Sequence, residues 1–223
     1  LTIPDVLHRV RRREDLETEL RNAARTSLTR QDWLNKLRRF RRREILRIGT
    51  RDLYLGISPR IIMQELTALA ESLTQVALEE RLKDIKEGKG IEGDGIRDRF
   101  CIMAFGKMGG NELNYSSDID LLGIFDTDEK SRGYSGAGKG LKEIFSKLME
   151  AVISDLSSYT EEGYAYRVDM RLRPFGSSGE LISSIRSLMD YYELSASLWE
   201  IQAAIKMRPV AGNLRLGYDF MKQ

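Results

Sequence analysis

The stretch "AFGKMGGNELNYSSDIDLLGIFD", residues 104–126, decides the fold. It leaves an apolar run, passes through a glycine-rich turn and enters a second run of aliphatic residues. Asp118 and Asp120 stand one residue apart at the start of that second run. Because side chains alternate along a strand, both carboxylates project from one face while Ile119 and Leu121 enter the core. The stretch therefore predicts two buried strands joined by a glycine turn, with two acids at the mouth of the second strand.

Composition limits the chemistry that the chain can perform. Its 223 residues are 41% hydrophobic, enough for a core of one large domain or two small ones. The single histidine, His8, excludes His-rich zinc clusters and nucleophile systems that need a histidine base. The lone cysteine, Cys101, lies in the apolar run "FCIMAF" and predicts a buried thiol in a reducing, cytosolic setting. Any catalysis must use carboxylates, lysines, arginines and bound metal.

Targeting signals are not evident. The sequence contains no run of about 18 apolar residues, so no membrane-spanning helix is predicted. The first residues lack the apolar stretch and cleavage site of a signal peptide. The chain opens with Leu instead of Met, which suggests a piece of a longer protein. We expect a cytoplasmic protein with no membrane partner.

The net charge of +2 conceals a basic front and an acidic back. Residues 1–60 hold 16 Lys and Arg against 8 Asp and Glu. One helical stretch carries a run of seven arginines: Arg38, Arg39, Arg41, Arg42, Arg43, Arg47 and Arg51. At about 100° per residue they wrap around the helix, with no interleaved stacking aromatics beyond Trp33 and Phe40. This pattern favours a solvated helix that exchanges ion pairs with neighbouring acids. Docking of an acidic protein partner is the alternative, and no nucleic-acid partner is expected.

The chain divides into a helical N-terminal segment, residues 1–88, and a sheet domain, residues 96–223, joined by the linker "KEGKGIEGDGIRDR". Ser58 as N-cap and Pro59 at the first helical position predict a helix start. The sheet core is expected at about 100–175, and C-terminal helices at about 184–223.

Within the sheet domain, apolar residues from Leu141 to Leu156 keep the i, i+3, i+4, i+7 spacing of a long helix. A third strand follows in "YAYRVDMRLRP", residues 164–174, with Asp169 on its polar face. Three strands with packed helices and a preceding helical segment predict an α/β or α+β fold.

The acids predict a divalent-metal site. Two carboxylates this close repel each other, and a cation relieves the repulsion. Oxygen ligands on a rigid strand suit Mg²⁺ together with phosphate oxygens. If the third strand neighbours the second, Asp169 completes a set that can hold two divalent ions for phosphoryl transfer. A strand-end acid pair without function is the alternative.

Phosphate-binding groups surround the acids in the sequence. Glycines 106, 109 and 110 let the backbone approach a ligand, and exposed N–H groups bind phosphate oxygens. The remaining candidates are two hydroxyls and three charge-assisted donors: Ser116, Ser117, Arg167, Arg171 and Arg173. Simple pairing of these arginines with the carboxylates is the alternative.

A second glycine-rich stretch, "GYSGAGKG" at Gly133–Gly140, nearly matches the P-loop pattern. Its last position, Gly140, lacks the hydroxyl that would hold Mg²⁺, and a polar stretch separates it from the preceding strand. We expect a mobile connector here. A P-loop-like ATPase that uses Lys139 is the alternative.

A glycine pair followed by Asp-x-Asp, a long helix and a third acid is similar to the nucleotidyltransferase fold of the DNA polymerase beta superfamily. The strings "GKMGGNELNYSSDIDLL" and "RVDMRLRPFGSSGEL" resemble the glutamine synthetase adenylyltransferase family more specifically. The strings "LRRFRRREILRIGTRDL" and "WEIQAAIKMRPVAG" extend the resemblance over most of residues 34–212. It implies an α+β fold with a mixed sheet and packed helices.

By this resemblance, Asp118, Asp120 and Asp169 hold Mg²⁺ or Mn²⁺, and Asp169 also helps to deprotonate the attacking oxygen. Gly109, Gly110 and Ser117 hold the nucleotide phosphates. The resemblance further implies ATP, ADP and phosphate as substrates and glutamine synthetase as partner. It adds the PII nitrogen-signalling protein as a partner of the full-length enzyme.

The family carries two such domains, one removing AMP from a tyrosine of glutamine synthetase by phosphorolysis and one adding it from ATP. The strings "RVDMRLRPFG" and "DYYE" are more similar to the first, adenylyl-removing half. A regulatory or protein-binding module with a vestigial site is the alternative.

Overall fold

The computed structural model describes residues 7–89, 94–127 and 138–222. Three helices form the N-terminal segment: α1 (Arg13–Arg25), α2 (Arg30–Leu55) and α3 (Pro59–Lys89). The hydroxyl of Thr29 caps α2 by accepting from the Asp32 N–H, and left-handed Gly56 ends it. The predicted helical segment is confirmed in its described part, and α3 begins at Pro59 as expected.

The remaining elements alternate between short strands and helices. In chain order they are α4 (Asp94–Arg97), β1 (Phe100–Ala104), α5 (Gly106–Gly109), β2 (Ile119–Phe125), α6 (Gly138–Ser157), β3 (Val168–Asp169), a 3₁₀ turn (Gly176–Ser178), β4 (Ile182–Ser184), α7 (Ile185–Leu194), α8 (Leu198–Ala204), β5 (Arg208–Gly212) and α9 (Leu214–Phe220).

These strands form one mixed sheet. β1 is antiparallel to both β2 and β5. β3 and β4 are parallel to β2 and share its other edge, β3 beside the start of β2 and β4 beside its end. The α+β class, with a mixed nucleotidyltransferase-like sheet after a helical segment, is confirmed.

The third strand is much shorter than predicted, because only Val168 and Asp169 pair. Before them, the N–H groups of Ala165 and Tyr166 both donate to the carbonyl of Leu156, which ties this stretch to the end of α6. After them the chain enters consecutive turns. Two further strands, β4 and β5, were not predicted; β4 has three residues and β5 contains Pro209, both weak strand signals.

Both faces of the sheet are covered. The larger hydrophobic cluster lies between the sheet and the helices of the N-terminal segment and α6, and it contains Leu20, Leu73, Leu121 and Phe145. This cluster runs across the predicted boundary between residues 1–88 and 96–223, a division that stays a prediction. The opposite face packs on α7 and α9 through a smaller cluster, in which Cys101 is fully buried as predicted.

Most of the arginines of α2 pair with acids of neighbouring helices and loops, as predicted. Arg47 and Arg51 bind Glu65, for example, at 2.8 and 3.1 Å. The expectation of a solvated helix is wrong for some of them, because Arg38 and Arg51 are among the largest fully buried side chains. Arg38 donates to backbone carbonyls, including that of Gly163, so it anchors α2 to the end of α6.

Two sequence features fall outside the described residues. These are residues 90–93 of the linker and residues 128–137, which include most of the P-loop-like stretch. Over the described ranges, no helix is both long and apolar enough to cross a membrane.

Candidate active site

The glycine turn between β1 and β2 fits closely around the second acid. Gly106 has a φ of +54°, and a Cβ at this position would lie 2.6 Å from the Asp120 carboxylate oxygen. A side chain here would be strained by its backbone and would collide with the carboxylate. Gly109 is needed for another reason, since its Cβ would lie 2.1 Å from the carbonyl oxygen of Lys206. The turn thus holds Asp120 and the end of β1 in close contact.

The three predicted acids come together at the start of β2. Asp120 and Asp169 are register partners on adjacent parallel strands, and Asp118 lies two residues before Asp120. Burial raises the pKa of the Asp120 carboxyl, and the negative charges of Asp169 and Asp118 raise it further. The ionised form of Asp120 is therefore disfavoured by its burial and by two neighbouring negative charges.

Two arginines neutralise the carboxylates of Asp118 and Asp169. The Nε of Arg167 donates to Asp118, and Arg171 donates to Asp169 with an Nη2–Oδ2 distance of 2.6 Å. The hydrogen bonds from Arg171 hold the pKa of Asp169 below its usual value. Among the described residues, no three acidic, histidine or cysteine side chains are already arranged as a metal-ligand cluster. The donor set itself fits Mg²⁺ or Mn²⁺, because carboxylate oxygens are the ligands that these ions prefer.

The glycine N–H groups expected to bind phosphate are used inside the turn. Those of Gly109 and Gly110 donate to the carbonyls of Phe105 and Gly106, each at 2.9 Å. The geometry therefore assigns these glycines to close packing and leaves their N–H groups unavailable to a ligand.

Arg173 also differs from its expected role. Its guanidinium donates to three backbone carbonyls, those of Met170, Ser177 and Gly179, at 2.6 to 2.9 Å. These bonds fold the loop between β3 and β4, so the side chain organises the backbone instead of facing a phosphate. Sequence alone could not show this, because these loop carbonyls come within reach of the guanidinium only in the folded chain.

The predicted serines line a small cavity beside Asp118. Ser117 donates to the side chain of Asn114 at 2.6 Å, and the carbonyl of Ser116 accepts from Arg167. The cavity has a volume of about 190 Å³ and is lined by Arg41, Tyr115, Ser116, Ser117, Asp118, Tyr164, Tyr166 and Arg167.

Comparison with known proteins identifies the family. The sequence profile described as "Glutamate-ammonia ligase adenylyltransferase" matches residues 2–223. The chain belongs to the glutamate-ammonia ligase adenylyltransferase family. The resemblance stated from the sequence motifs is therefore confirmed.

Several curated relatives carry the name "Bifunctional glutamine synthetase adenylyltransferase/adenylyl-removing enzyme". The protein of Hahella chejuensis is 36% identical over 197 residues, 87% of this chain and 20% of the relative. That of Nitrosomonas eutropha is 36% identical over 213 residues, 93% of this chain and 23% of the relative. The protein of Nitrosomonas europaea is 38% identical over 182 residues, which are 79% of this chain and 19% of the relative. This chain spans about one fifth of the length of these relatives.

Sequence reasoning missed the contribution of the helical segment to this family member's site. Arg41 belongs to α2, yet it lines the cavity beside Asp118 together with Tyr115 and Tyr166. The only sequence signal was the arginine run, which gives no indication of which arginine faces the sheet domain.

A larger cavity of about 650 Å³ lies at the other end of β2, and it was not predicted either. Phe125, at the end of β2, and Lys142, on α6, line it together with Phe175 and Tyr191. Phe125 is five residues beyond Asp120, which at about 3.3 Å per residue puts the β2 side of this cavity more than 15 Å along the strand from the acids. Of these two cavities, only the smaller one is lined by one of the three acids, Asp118.

Proposed function

We propose that this chain is a metal-dependent nucleotidyltransferase domain that acts on glutamine synthetase, removing AMP from a tyrosine by phosphorolysis or adding AMP from ATP. One observation carries the proposal: Asp120 and Asp169 are register partners on adjacent strands, with Asp118 just before them in the chain. The turn at Gly106, which has no room for a side chain, packs against the Asp120 carboxylate. The names of the relatives support glutamine synthetase as the protein substrate.

The three carboxylates would hold Mg²⁺ or Mn²⁺. Such ions neutralise charge on phosphate oxygens during phosphoryl transfer. The chain's own residues position the substrate, because rigid strands fix the carboxylates and the Gly106 turn keeps Asp120 in place. Arg167 and Arg171 neutralise Asp118 and Asp169 in the metal-free protein. Bound cations would take over this neutralisation, and the guanidinium groups of Arg167 and Arg171 would then be able to donate to substrate oxygens.

The favoured direction is adenylyl removal. It rests on the similarity of "RVDMRLRPFG" and "DYYE" to the adenylyl-removing half of the family. In this direction an oxygen of inorganic phosphate forms a bond to the adenylyl phosphorus, and the bond from that phosphorus to the tyrosine oxygen breaks. The tyrosine oxygen takes a proton, and ADP leaves. The setting is the cytoplasm and nitrogen metabolism, with the PII protein acting on the full-length enzyme.

The direct test supplies adenylylated and unmodified glutamine synthetase, with phosphate or ATP in turn, and detects ADP or pyrophosphate. ADP formed from adenylylated substrate and phosphate is the expected result. Asp118→Asn and Asp120→Asn should nearly abolish it while circular dichroism stays unchanged. A double variant that turned over at the wild-type rate would refute the proposal.

A binding or regulatory module is the second candidate. It is favoured by the arginine-paired state of Asp118 and Asp169, which leaves no ready ligand cluster among the described residues. Calorimetry with ATP or ADP, with and without Mg²⁺, separates the two, because a vestigial site gives no metal-dependent affinity. The P-loop alternative predicts loss of nucleotide binding in Lys139→Ala, whereas the leading proposal expects little change.

A further inference from the structure

Arg41 differs from the other arginines of α2. Arg39 and Arg42 pair with Glu162, Arg43 with Glu19 and Glu44, and the buried Arg38, Arg47 and Arg51 are bonded as described above. Arg41 forms no ion pair with any residue that the structure describes, and its Nε is buried without a hydrogen-bond partner there. Arg41 is half-buried, and its unsatisfied buried N–H costs free energy that a ligand able to accept from it would recover.

The neighbour of Arg41 is unsatisfied as well. Tyr166 is only 3% exposed, and its hydroxyl is buried without a hydrogen bond to the described residues. The Arg41 guanidinium stacks over the Tyr166 ring, 4.6 Å from its centroid. Burial raises the pKa of this phenol and the nearby Arg41 lowers it, although the pair does not reach hydrogen-bond geometry. Two donors thus remain unused side by side.

Both side chains line the 190 Å³ cavity beside Asp118. Its volume corresponds to about six water molecules at roughly 30 Å³ each, enough for a phosphate group. The lining carries two guanidinium groups, Arg41 and Arg167, against one carboxylate, Asp118. The hydroxyls of Ser116 and Ser117 add polar groups to the lining. Excess positive charge, unused donors and adjacency to the acids together describe a site for an oxyanion.

We propose that Arg41 and the Tyr166 hydroxyl form a phosphate-binding subsite, to which the helical segment contributes the charge. The reaction assigned to this subsite rests on the proposed function: it holds the inorganic phosphate whose oxygen attacks the adenylyl phosphorus. Arg41 then acts as a binding residue for the second substrate. The same tetrahedral oxyanion chemistry also fits the terminal phosphates of ATP or pyrophosphate, and the experiment separates these sources.

The test measures binding of inorganic phosphate, pyrophosphate and ATP to this chain by calorimetry, with Mg²⁺ present. Arg41→Met keeps the apolar stem of the side chain and removes its charge. The dissociation constant for phosphate should rise about 10- to 100-fold, as expected for loss of hydrogen bonds to a charged group. Arg42→Met is the matched control, because Arg42 is an exposed neighbour paired with Glu162. The affinity of this variant for phosphate should stay at the wild-type value. A larger loss for pyrophosphate or ATP than for phosphate would assign the subsite to the nucleotide's terminal phosphates and overturn the assignment to the phosphate cosubstrate.

Tyr166→Phe separates binding from folding, because it keeps the ring under Arg41 and removes only the hydroxyl. If the hydroxyl binds phosphate, this variant loses several-fold in phosphate affinity while the ligand-free protein melts no lower than wild type. Wild-type phosphate affinity in both Tyr166→Phe and Arg41→Met would overturn the subsite. So would a wild-type chain that binds none of the three anions.

Steady-state kinetics then distinguish failure of this inference from failure of the proposed function. In phosphorolysis, Arg41→Met should raise KM for phosphate and leave KM for adenylylated glutamine synthetase unchanged. If wild type forms no ADP but Arg41→Met weakens anion binding, the subsite is supported and the phosphorolysis proposal is refuted. If wild type forms ADP and Arg41→Met leaves KM for phosphate unchanged, the subsite is refuted and the proposed function is supported.

Discussion

Asp120 and Asp169 lie side by side in the parallel register of β2 and β3, although the whole of α6 separates them in the chain. Like charges directly opposite each other on neighbouring strands destabilise a sheet. Arg171 relieves part of this repulsion by binding Asp169, but burial and both neighbouring acids still raise the pKa of Asp120. The metal-free fold therefore tolerates a charge arrangement that a divalent cation would improve.

Asp120→Asn should stabilise the metal-free protein and abolish its stabilisation by metal. Removing the charge opposite Asp169 should raise the free energy of unfolding in EDTA by about 0.2–1 kcal/mol. Wild type should gain further stability with millimolar Mg²⁺, because a ligand of the folded state adds to the free energy of unfolding. Urea denaturation with EDTA or Mg²⁺ measures both effects.

Asp219→Asn is the control for that experiment, since this acid lies half-exposed on α9 and pairs with Lys222 and Arg215. It should respond to Mg²⁺ as wild type does. An equal Mg²⁺ effect in wild type and in Asp120→Asn would contradict metal binding at β2.

Gly106→Ala should damage the site more than the fold. A left-handed φ costs a residue with a side chain about 1–2 kcal/mol, and the new methyl group would displace the Asp120 carboxylate. We expect a loss of that size in unfolding free energy and a much larger loss of metal-dependent stabilisation. Gly140→Ala is the matched control, because its Cβ meets nothing within 4 Å in a helix; it should be neutral or stabilise by up to about 1 kcal/mol. Equal Mg²⁺ responses in the two variants would show that Gly106 does not position Asp120.

The acids and their turn could be predicted because the information is local. The alternation expected for a strand predicts Asp118 and Asp120 on one face, and the structure places Asp120 in β2 with Asp118 just before its start. The glycines mark a backbone that closely approaches other groups. The pairing with Asp169 required only that two consecutive strands of the domain become neighbours. These are short-range rules, and the register of Asp120 with Asp169 agrees with them, while the role of the three acids stays a prediction.

The roles of single arginines could not be predicted, because each depends on contacts distant in the chain. Arg173 looked like a phosphate donor but binds loop carbonyls, and Arg38 looked solvated but is buried against the end of α6. Arg41 lines the site from a segment assigned to a separate helical unit. Composition and spacing identify such residues as charged; only packing decides what the charge faces.

Glu65→Gln should strongly destabilise the helical segment. Its carboxylate binds both Arg47 and Arg51, and all three side chains are at least 90% buried. The substitution leaves the buried guanidinium group of Arg51 without a counter-charge, while Arg47 keeps its ion pair with Glu44. Breaking a buried ion pair by removing one partner typically costs about 3–5 kcal/mol. Thermal and urea unfolding measure the loss. The exposed pair Lys147–Glu143 supplies the control, and Glu143→Gln should cost less than about 1 kcal/mol. Similar losses in the two variants would mean that the buried cluster contributes no more than a surface pair.

The thiol of Cys101 should make stability fall at alkaline pH. Burial between the sheet and α9 raises its pKa from 9.0 to about 12. Between these values the unfolded chain has lost the thiol proton while the folded chain keeps it, so rising pH favours unfolding. The loss of unfolding free energy caused by the thiol is absent below about pH 9. Above that pH it grows by at most about 1.4 kcal/mol per pH unit. Cys101→Ala removes the only thiol, so its unfolding free energy should fall less steeply than that of wild type between pH 9 and 11. Parallel pH profiles for the two proteins in urea denaturation would show that the thiol ionises equally in both states.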